Sequence, residues 1–216
     1  MILVTAATEQ EIAPLRQQFT DCRQVDFLVT GIGLVETAHI LTRFLERQGT
    51  RYQGLIHVGV AGAFTESSMH LLDICLADSE VIGDMAICFR DDMGSLGSSE
   101  LILHQFFPCQ GSLLSHCRRW CASTGRSIHV GGFVSVNCVS ATRRRGDMLA
   151  ATYDAISENM EGAAVARVCR SYKLDWLEIR AISNMVVDRD TSSWRLGEAL
   201  KRCAAFTGDF LNHYLS

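Results

Sequence analysis

Short apolar, β-compatible stretches alternate with amphipathic helical ones along this chain, and glycine clusters follow several of the strands. Residues 1–7 read as a strand, and Thr8 then offers an N-cap for a helix over 9–19, where Ile12, Leu15 and Phe19 recur at helical spacing. A second strand over 25–30 runs into Gly31-Ile32-Gly33 and a helix over 36–48; a third covers 55–60, between glycine turns. Strands are expected at 71–77, 81–89, 129–139 and 175–183, and helices at 112–123, 160–172 and 194–214. Such alternation predicts an α/β fold whose sheet is covered by helices. No proline-rich linker, repeat or charge block divides the 216 residues, so one domain over 1–216 is expected, with 91–99 (DDMGSLGSS) as its clearest loop. Arg143–Arg145, the one run of like charge, reads as a solvated helix start.

Charge narrows the function. Twenty Lys and Arg against 24 Asp and Glu leave −4, too acidic for a general nucleic-acid binder. The longest clearly apolar run, LIHVGVAGAF, contains His57 and falls far short of a membrane span. Nine cysteines cannot pair off completely, and no basic, signal-like segment precedes them. The expectation is a reduced, cytoplasmic protein whose thiols fill its core. His116, Cys117 and Cys121 lack a second ligand pair at zinc-like spacing, so no metal is expected.

The glycine clusters do not complete a cofactor motif. TGIGLVETA carries Glu36 where a dinucleotide fold needs its third glycine, and GVAG at 59–62 lacks the Lys-Ser/Thr of a P-loop. No cofactor is expected. The charged residues say more. Glu11 follows the first strand's carboxyl end, where open α/β sheets place ligands, although spacing alone also fits a solvated helix glutamate. Glu161 stands among Met160, Gly162, Ala163 and Ala164, where a carboxylate is costly unless something donates to it. Arg180 occupies a strand that ends in Ser183 and Asn184, so it is half of a buried pair or part of a site.

TAATEQEI, TGIGLVETA, GVAGAF, ENMEGAAVARVC and RAISN fall in the order and spacing of the nucleoside phosphorylase/hydrolase superfamily. The chain resembles its nucleosidase branch, which includes the 5′-methylthioadenosine/S-adenosylhomocysteine nucleosidases. The stretch SNMVVDRDTSSW is most similar to the futalosine hydrolases of the alternative menaquinone pathway. The resemblance implies a three-layer α/β fold with a mixed, partly barrel-like central sheet flanked by helices. It implies that Glu11 activates water, that Glu161 grips the ribose hydroxyls over Met160, and that Arg180 assists both. Asn184 matches the position facing purine N7 and the 6-substituent, and Ser183 lies beside it. Ala61 and Gly62 match the backbone around ribose and base, and Trp194 an aromatic cover for the 5′-substituent. A small purine nucleoside as ligand, and a homodimer, are the implied partners; the apolar stretch 93–108 is one candidate interface.

These residue types suit cleavage of an N-glycosidic bond, in which carboxylates stabilise positive charge building on the sugar and a glutamate activates water. The chain also departs from the family. Many relatives have an aspartate where Asn184 stands; an amide donates to N7 or O6 but supplies no proton, which favours a 6-oxopurine. Val60 replaces a serine, and Val139 and Ser140 replace a base-stacking phenylalanine, so base stacking is expected to be weaker or to come from Phe133 or Phe64. The phosphorylases' phosphate-binding arginine is missing from TAATEQEI, which favours hydrolysis. Arg189 is the candidate anchor for a 5′-carboxylate, on a segment, 187–194, read as a gate. A methylthioadenosine/adenosylhomocysteine nucleosidase and a nucleoside-binding protein that has lost catalysis remain the alternatives.

Overall fold

The computed structural model describes residues 1–49, 51–89, 93–94, 96 and 105–216. The chain runs through β1 (Ile2–Ala6), α1 (Glu9–Gln18), β2 (Val25–Val29), α2 (Leu34–Gln48) and β3 (Gly54–Ala63). It continues through β4 (Ile74–Ile82), the short β5 (Ile87–Cys88), β6 (Met93–Gly94) and β7 (Phe106–Pro108), then α3 (Ser112–Thr124) and β8 (His129–Ser135). The remainder is α4 (Arg143–Tyr153), β9 (Ala155–Asn159), α5 (Gly162–Tyr172), β10 (Asp175–Met185), a 3-10 turn (Thr191–Ser193) and α6 (Leu196–Leu215).

β3 organises the sheet. Its first half pairs in parallel with β1, its last residues pair antiparallel with β9, and β10 runs parallel to its whole length. From β10 the sheet continues through β4 and β8 to β9 and so back to β3, which closes a barrel-like ring; β1 and β2 extend from β3 outside that ring. The mixed α/β sheet is therefore as expected. Where β3 leaves β1 for β9, the sheet parts at the carboxyl ends of its parallel strands, the position at which such folds take ligands. Helices flank the sheet in two groups, α2 against α5 and α6 against α1 and α3.

Several expected boundaries move. The strands expected at 71–77 and 81–89 are largely one strand, β4, bulged against β8 between Ala77 and Ser79. Its polar Asp78-Ser79-Glu80 stretch hides that continuity, because Glu80 is buried inward. The strand expected over 129–139 ends at Ser135, and the chain then crosses the sheet opening as a loop. Arg143–Arg145 does open a helix, α4, whose extent carries too little apolar periodicity to be read beforehand, as do strands β7 and β9. Of the loop 91–99, Met93–Gly94 forms β6 and Leu96 is exposed, and the rest lies outside the described residues. Much of the interface candidate 93–108 lies outside them as well.

Eight cysteines among the described residues are free, six of them buried. Cys117 and Cys121 lie in the core face of α3, while His116 packs edge-on against Tyr214. No described helix is long and apolar enough to cross a membrane. Trp120 joins α3 to α6 through ring contacts with Phe206, Phe210 and His213. Trp120→Ala is expected to lower the unfolding free energy by about 3–5 kcal/mol, read from urea denaturation; a loss below about 1 kcal/mol contradicts this packing.

Candidate active site

A cavity of about 360 Å³ opens where the sheet parts. Its walls come from strand ends and the segments just after them: Ala7, Thr8 and Glu11 after β1, Val60 to Gly62 in β3, Asn159 to Glu161 after β9, and Ser183-Asn184 in β10. Val139 and Ser140 close one side from the loop after β8, and Arg189, Trp194 and Leu196 form part of the rim. Glu11, Ala61, Gly62, Val139, Ser140, Met160, Glu161, Arg180, Ser183, Asn184, Arg189 and Trp194, each singled out in the sequence, border this one cavity. Phe133 and Phe64 do not; both are buried in core packing, so neither stacks on a ligand there.

Arg180 is the hub. It is 1% exposed, and its Nε donates to Glu178 Oε1 at 2.8 Å. Nη1 donates to the Val60 carbonyl at 3.2 Å, and Nη2 reaches Asn159 Oδ1 at 3.4 Å and Glu161 Oε2 at 3.5 Å. Arg180 is thus both half of a buried pair and a cavity residue. Burial alone would lower its pKa, but Glu178, Glu161 and Glu11 together raise it above the ordinary value. The guanidinium is permanently charged.

Glu161 ends the connection from β9 at the N-cap position of α5, with no capping bond from its side chain. Its Oε1 accepts the Gly33 backbone N–H at 3.1 Å. Gly33 has φ 88°, a left-handed conformation that glycine adopts without strain, so the turn before α2 aims its N–H at this carboxylate. Glu11 is held differently. Its Oε2 accepts both the backbone N–H of Thr8, at 2.8 Å, and the Thr8 hydroxyl, at 2.7 Å. Its Oε1 faces the guanidinium: a Cβ at Gly59 would stand 2.7 Å from that oxygen and 2.4 Å from Arg180 Nη1. Burial raises the Glu11 pKa, and Arg180 and Thr8 oppose the rise. A carboxylate with one oxygen fixed and the other turned toward a cavity is built to hold a water or a hydroxyl.

Beneath these residues lies a layer that sequence reasoning missed. Glu80 Oε2 accepts the Ser135 hydroxyl at 2.8 Å, and Oε1 accepts Asn159 Nδ2 at 2.5 Å. Asn159 Oδ1 takes the N–H groups of Glu161 and Gly162, and Ser135 Oγ takes that of Ala163, so the start of α5 is fully capped from below. Glu80 and Glu178 converge on Gly162, where an added Cβ would lie 2.0 Å from one carboxyl and 2.3 Å from the other. Burial, then the Glu178 charge, drives the Glu80 pKa well upward; burial raises that of Glu178 too, but Arg180 draws it back, which favours the proton on Glu80. Glu178 could have been found beforehand: Glu-x-Arg on a strand puts both side chains on one face.

At the opposite wall, the Ser183 hydroxyl has two acceptors in reach, Asn184 Oδ1 at 2.9 Å and the Ala61 carbonyl at 3.3 Å. The shorter contact leaves Asn184 Nδ2 with only a long contact to the Met185 carbonyl, at 3.4 Å. Glu158, another residue missed in the sequence, accepts the Ser140 backbone N–H at 2.9 Å. On the rim, the Arg189 guanidinium lies 4.9 Å from the centre of the Trp194 indole. No group of three or more His, Cys, Asp or Glu side chains placed to hold a metal ion occurs among the described residues.

Neutral Glu80 has a measurable consequence. Folding holds a proton on it where an unfolded glutamate is ionised, so stability falls as pH rises above the ordinary carboxylate range. Glu80→Gln removes that titration, and its urea midpoints at about pH 5 and about pH 8 are expected to lie closer together than those of the wild type. An unchanged gap contradicts a protonated Glu80.

The family model of the phosphorylase superfamily matches residues 2–216. The chain is 32% identical over 183 residues to futalosine hydrolase of Thermus thermophilus, covering 82% of this chain and 77% of that protein. It is 25% identical over 220 residues to 5′-methylthioadenosine/S-adenosylhomocysteine nucleosidase of Aeromonas salmonicida, covering 88% and 89%. Among solved structures, futalosine hydrolase of Helicobacter pylori shares the fold with a TM-score of 0.85 at 20% identity, over 98% of this chain and 97% of that one. A methylthioadenosine/adenosylhomocysteine nucleosidase of the same organism, bound to butyl-thio-DADMe-Immucillin-A, matches equally well, with a TM-score of 0.85. The chain belongs to the phosphorylase superfamily and, within it, to the nucleosidases, which are N-glycosyl hydrolases.

Proposed function

We propose that the cavity hydrolyses the N-glycosidic bond of futalosine, or of a close 6-oxopurine nucleoside, releasing hypoxanthine as a step of menaquinone biosynthesis. The observation that carries this reading is the Asn184 amide, whose Oδ1 makes the shorter contact with the Ser183 hydroxyl. With Oδ1 held by Ser183, the group offered to the base is an N–H donor, and N7 and O6 of hypoxanthine are both acceptors. The match to the Thermus thermophilus enzyme supports the same substrate.

In this reading Glu161, oriented by Gly33 and Arg180, takes the ribose hydroxyls while Met160 packs under the sugar. Glu11 Oε1 and Arg180 hold the attacking water; as its oxygen bonds to C1′ the C1′–N9 bond breaks, Glu11 accepts the water's proton, and the purine leaves as its anion, held by the Asn184 N–H, and takes its proton from solvent. Positive charge building on the sugar is met by the two carboxylates, in a site where little water competes. Ala61 and Gly62 supply backbone beside ribose and base, and Val139 and Ser140 line the base's flank. Trp194 covers the 5′-substituent and Arg189, drawn against its indole, pairs with the carboxylate there as the 187–194 segment closes. One domain over 1–216 carries the whole site.

Glu11→Gln keeps the Thr8 bonds but removes the base. It is expected to lower kcat for futalosine by roughly a hundredfold to ten-thousandfold with KM little changed, measured by free-base release. A loss below about tenfold contradicts the assignment. Because the base must be ionised, wild-type kcat falls as pH drops through the Glu11 pKa, which burial places above that of an ordinary glutamate. The match to the Aeromonas salmonicida enzyme favours methylthioadenosine as a second reading. Parallel assays of futalosine, 6-amino-6-deoxyfutalosine and methylthioadenosine separate the two: comparable cleavage of methylthioadenosine overturns the futalosine reading.

A further inference from the structure

Glu178 of β10 is fully buried and lies outside the residues that line the cavity. Its Oε1 accepts Arg180 Nε at 2.8 Å, closer than the 3.4 and 3.5 Å at which the same guanidinium reaches Asn159 and Glu161. A charge-assisted bond of that length is the strong one of the set. Glu11 only faces the guanidinium, across Gly59. The other oxygen of Glu178, Oε2, is buried with no fixed donor, and the Glu80 carboxyl approaches it: a Cβ at Gly162 would stand 2.0 Å from Glu80 Oε1 and 2.3 Å from Glu178 Oε2. A proton on Glu80 thus has Glu178 as its acceptor, and Glu178 stays the anion beneath Arg180. The titratable groups about Glu178, besides Arg180, are its register partner His57 on β3, Cys75 and Glu80 on β4, Cys109 after β7 and Glu161 before α5. About Glu11 they are Arg180, Glu161 and Cys203 of α6. Burial drives His57 down and pushes the thiols up, Cys109 to about 12 and Cys203 to about 11, so none of these four carries charge.

We infer that Glu178 is a positioning residue acting through Arg180: paired with the guanidinium from inside the protein, it takes up the charge that would otherwise leave Glu11 too weakly basic to accept a proton from water. The inference rests on the nucleosidase reading, in which Glu11 is the base, and adds the residue that keeps it one. Arg180 has to stay charged and close, because it holds Glu161 and faces Glu11. An uncompensated cation so near a carboxylate lowers its proton affinity by roughly one to three pH units. Pairing with Glu178 lets the guanidinium orient its neighbours without quenching the base. Glu-x-Arg spacing places both side chains on one face of β10, so the compensating charge is built into the strand that carries the cation.

The test compares Glu80→Gln with Glu80→Gln/Glu178→Gln. Glutamine at position 80 cannot ionise in place of the lost anion, so the second substitution alone removes the charge, while its amide oxygen still accepts from Arg180 Nε. Two readouts apply: a carboxyl-carbon NMR titration of Glu11 in the ligand-free protein, assigned with Glu11→Gln, and the pH profile of kcat for futalosine. Wild-type Glu11 is expected to titrate above the ordinary glutamate value of about 4.3 despite the neighbouring guanidinium. Loss of Glu178 is expected to move that titration, and the acid limb of kcat with it, toward acid by about one pH unit or more, because the bare cation stabilises the Glu11 anion. Lost packing alone would lower kcat without moving either. Titrations that coincide in the two folded variants overturn the inference. So does a wild-type Glu11 that titrates below about 4.3, a result that needs no variant to fold. If futalosine is cleaved while the Glu11 titration ignores Glu178, the inference fails and the hydrolase reading stands. If futalosine is not cleaved, the futalosine reading fails and the Glu11 titration alone decides the inference.

Discussion

The burial of Arg180 among four carboxyl groups is the constraint on which the site depends. One guanidinium is hemmed in by Glu178, Glu161, Glu11 and, one layer further on, Glu80. Four ionised carboxylates around one cation would be strongly repulsive at low dielectric, so a proton must remain in the cluster, and burial together with the Glu178 charge favours it on Glu80. Glu178 then neutralises Arg180 from below, which leaves the guanidinium's far edge to serve the two carboxylates that border the cavity. Breaking this arrangement strands a buried charge. That makes the cluster a device for orientation more than for stability.

The same arrangement explains why the polar groups lie at strand ends. β3 changes partner from β1 to β9 within its own length, and the gap this creates is walled by residues that no longer need to satisfy a continuous sheet. Glu161 sits at the start of α5, whose first N–H groups are already taken by Asn159 and Ser135. Its carboxylate is therefore free of capping duty and is held by Gly33 and Arg180 alone. Glu11 is placed by the opposite means, since its capping bond to Thr8 fixes one oxygen and aims the other.

Elements whose buried faces are apolar were legible in the sequence: β1, β2, β3, β10, α1, α2, α3, α5 and α6 all follow period-2 runs, apolar runs or helical spacing. The misreadings fall where function intrudes on that pattern. β9 reads Ala-Ile-Ser-Glu-Asn, and its buried Ser157, Glu158 and Asn159 look like a loop to any hydrophobicity rule. β4 looked like two strands because Glu80 is polar and buried. The residues bordering the cavity were found through motif order, which carries Glu11, Glu161 and Arg180. Glu80 and Glu158 belong to no such motif; only the fold shows that β4, β8 and β9 bring them to the same region. Of the two alternatives for base stacking, Phe64 and Phe133 fall away because both rings are taken up in core packing, which sequence alternation does not reveal.

A site of this kind activates water and has no use for phosphate. The most direct measurement is hydrolysis of futalosine in heavy-oxygen water, with and without inorganic phosphate, following base release and the label on the sugar. Phosphate-independent release, with solvent oxygen on the C1′ hydroxyl of the product, is the predicted result. Release that requires phosphate and yields a sugar phosphate would contradict the account.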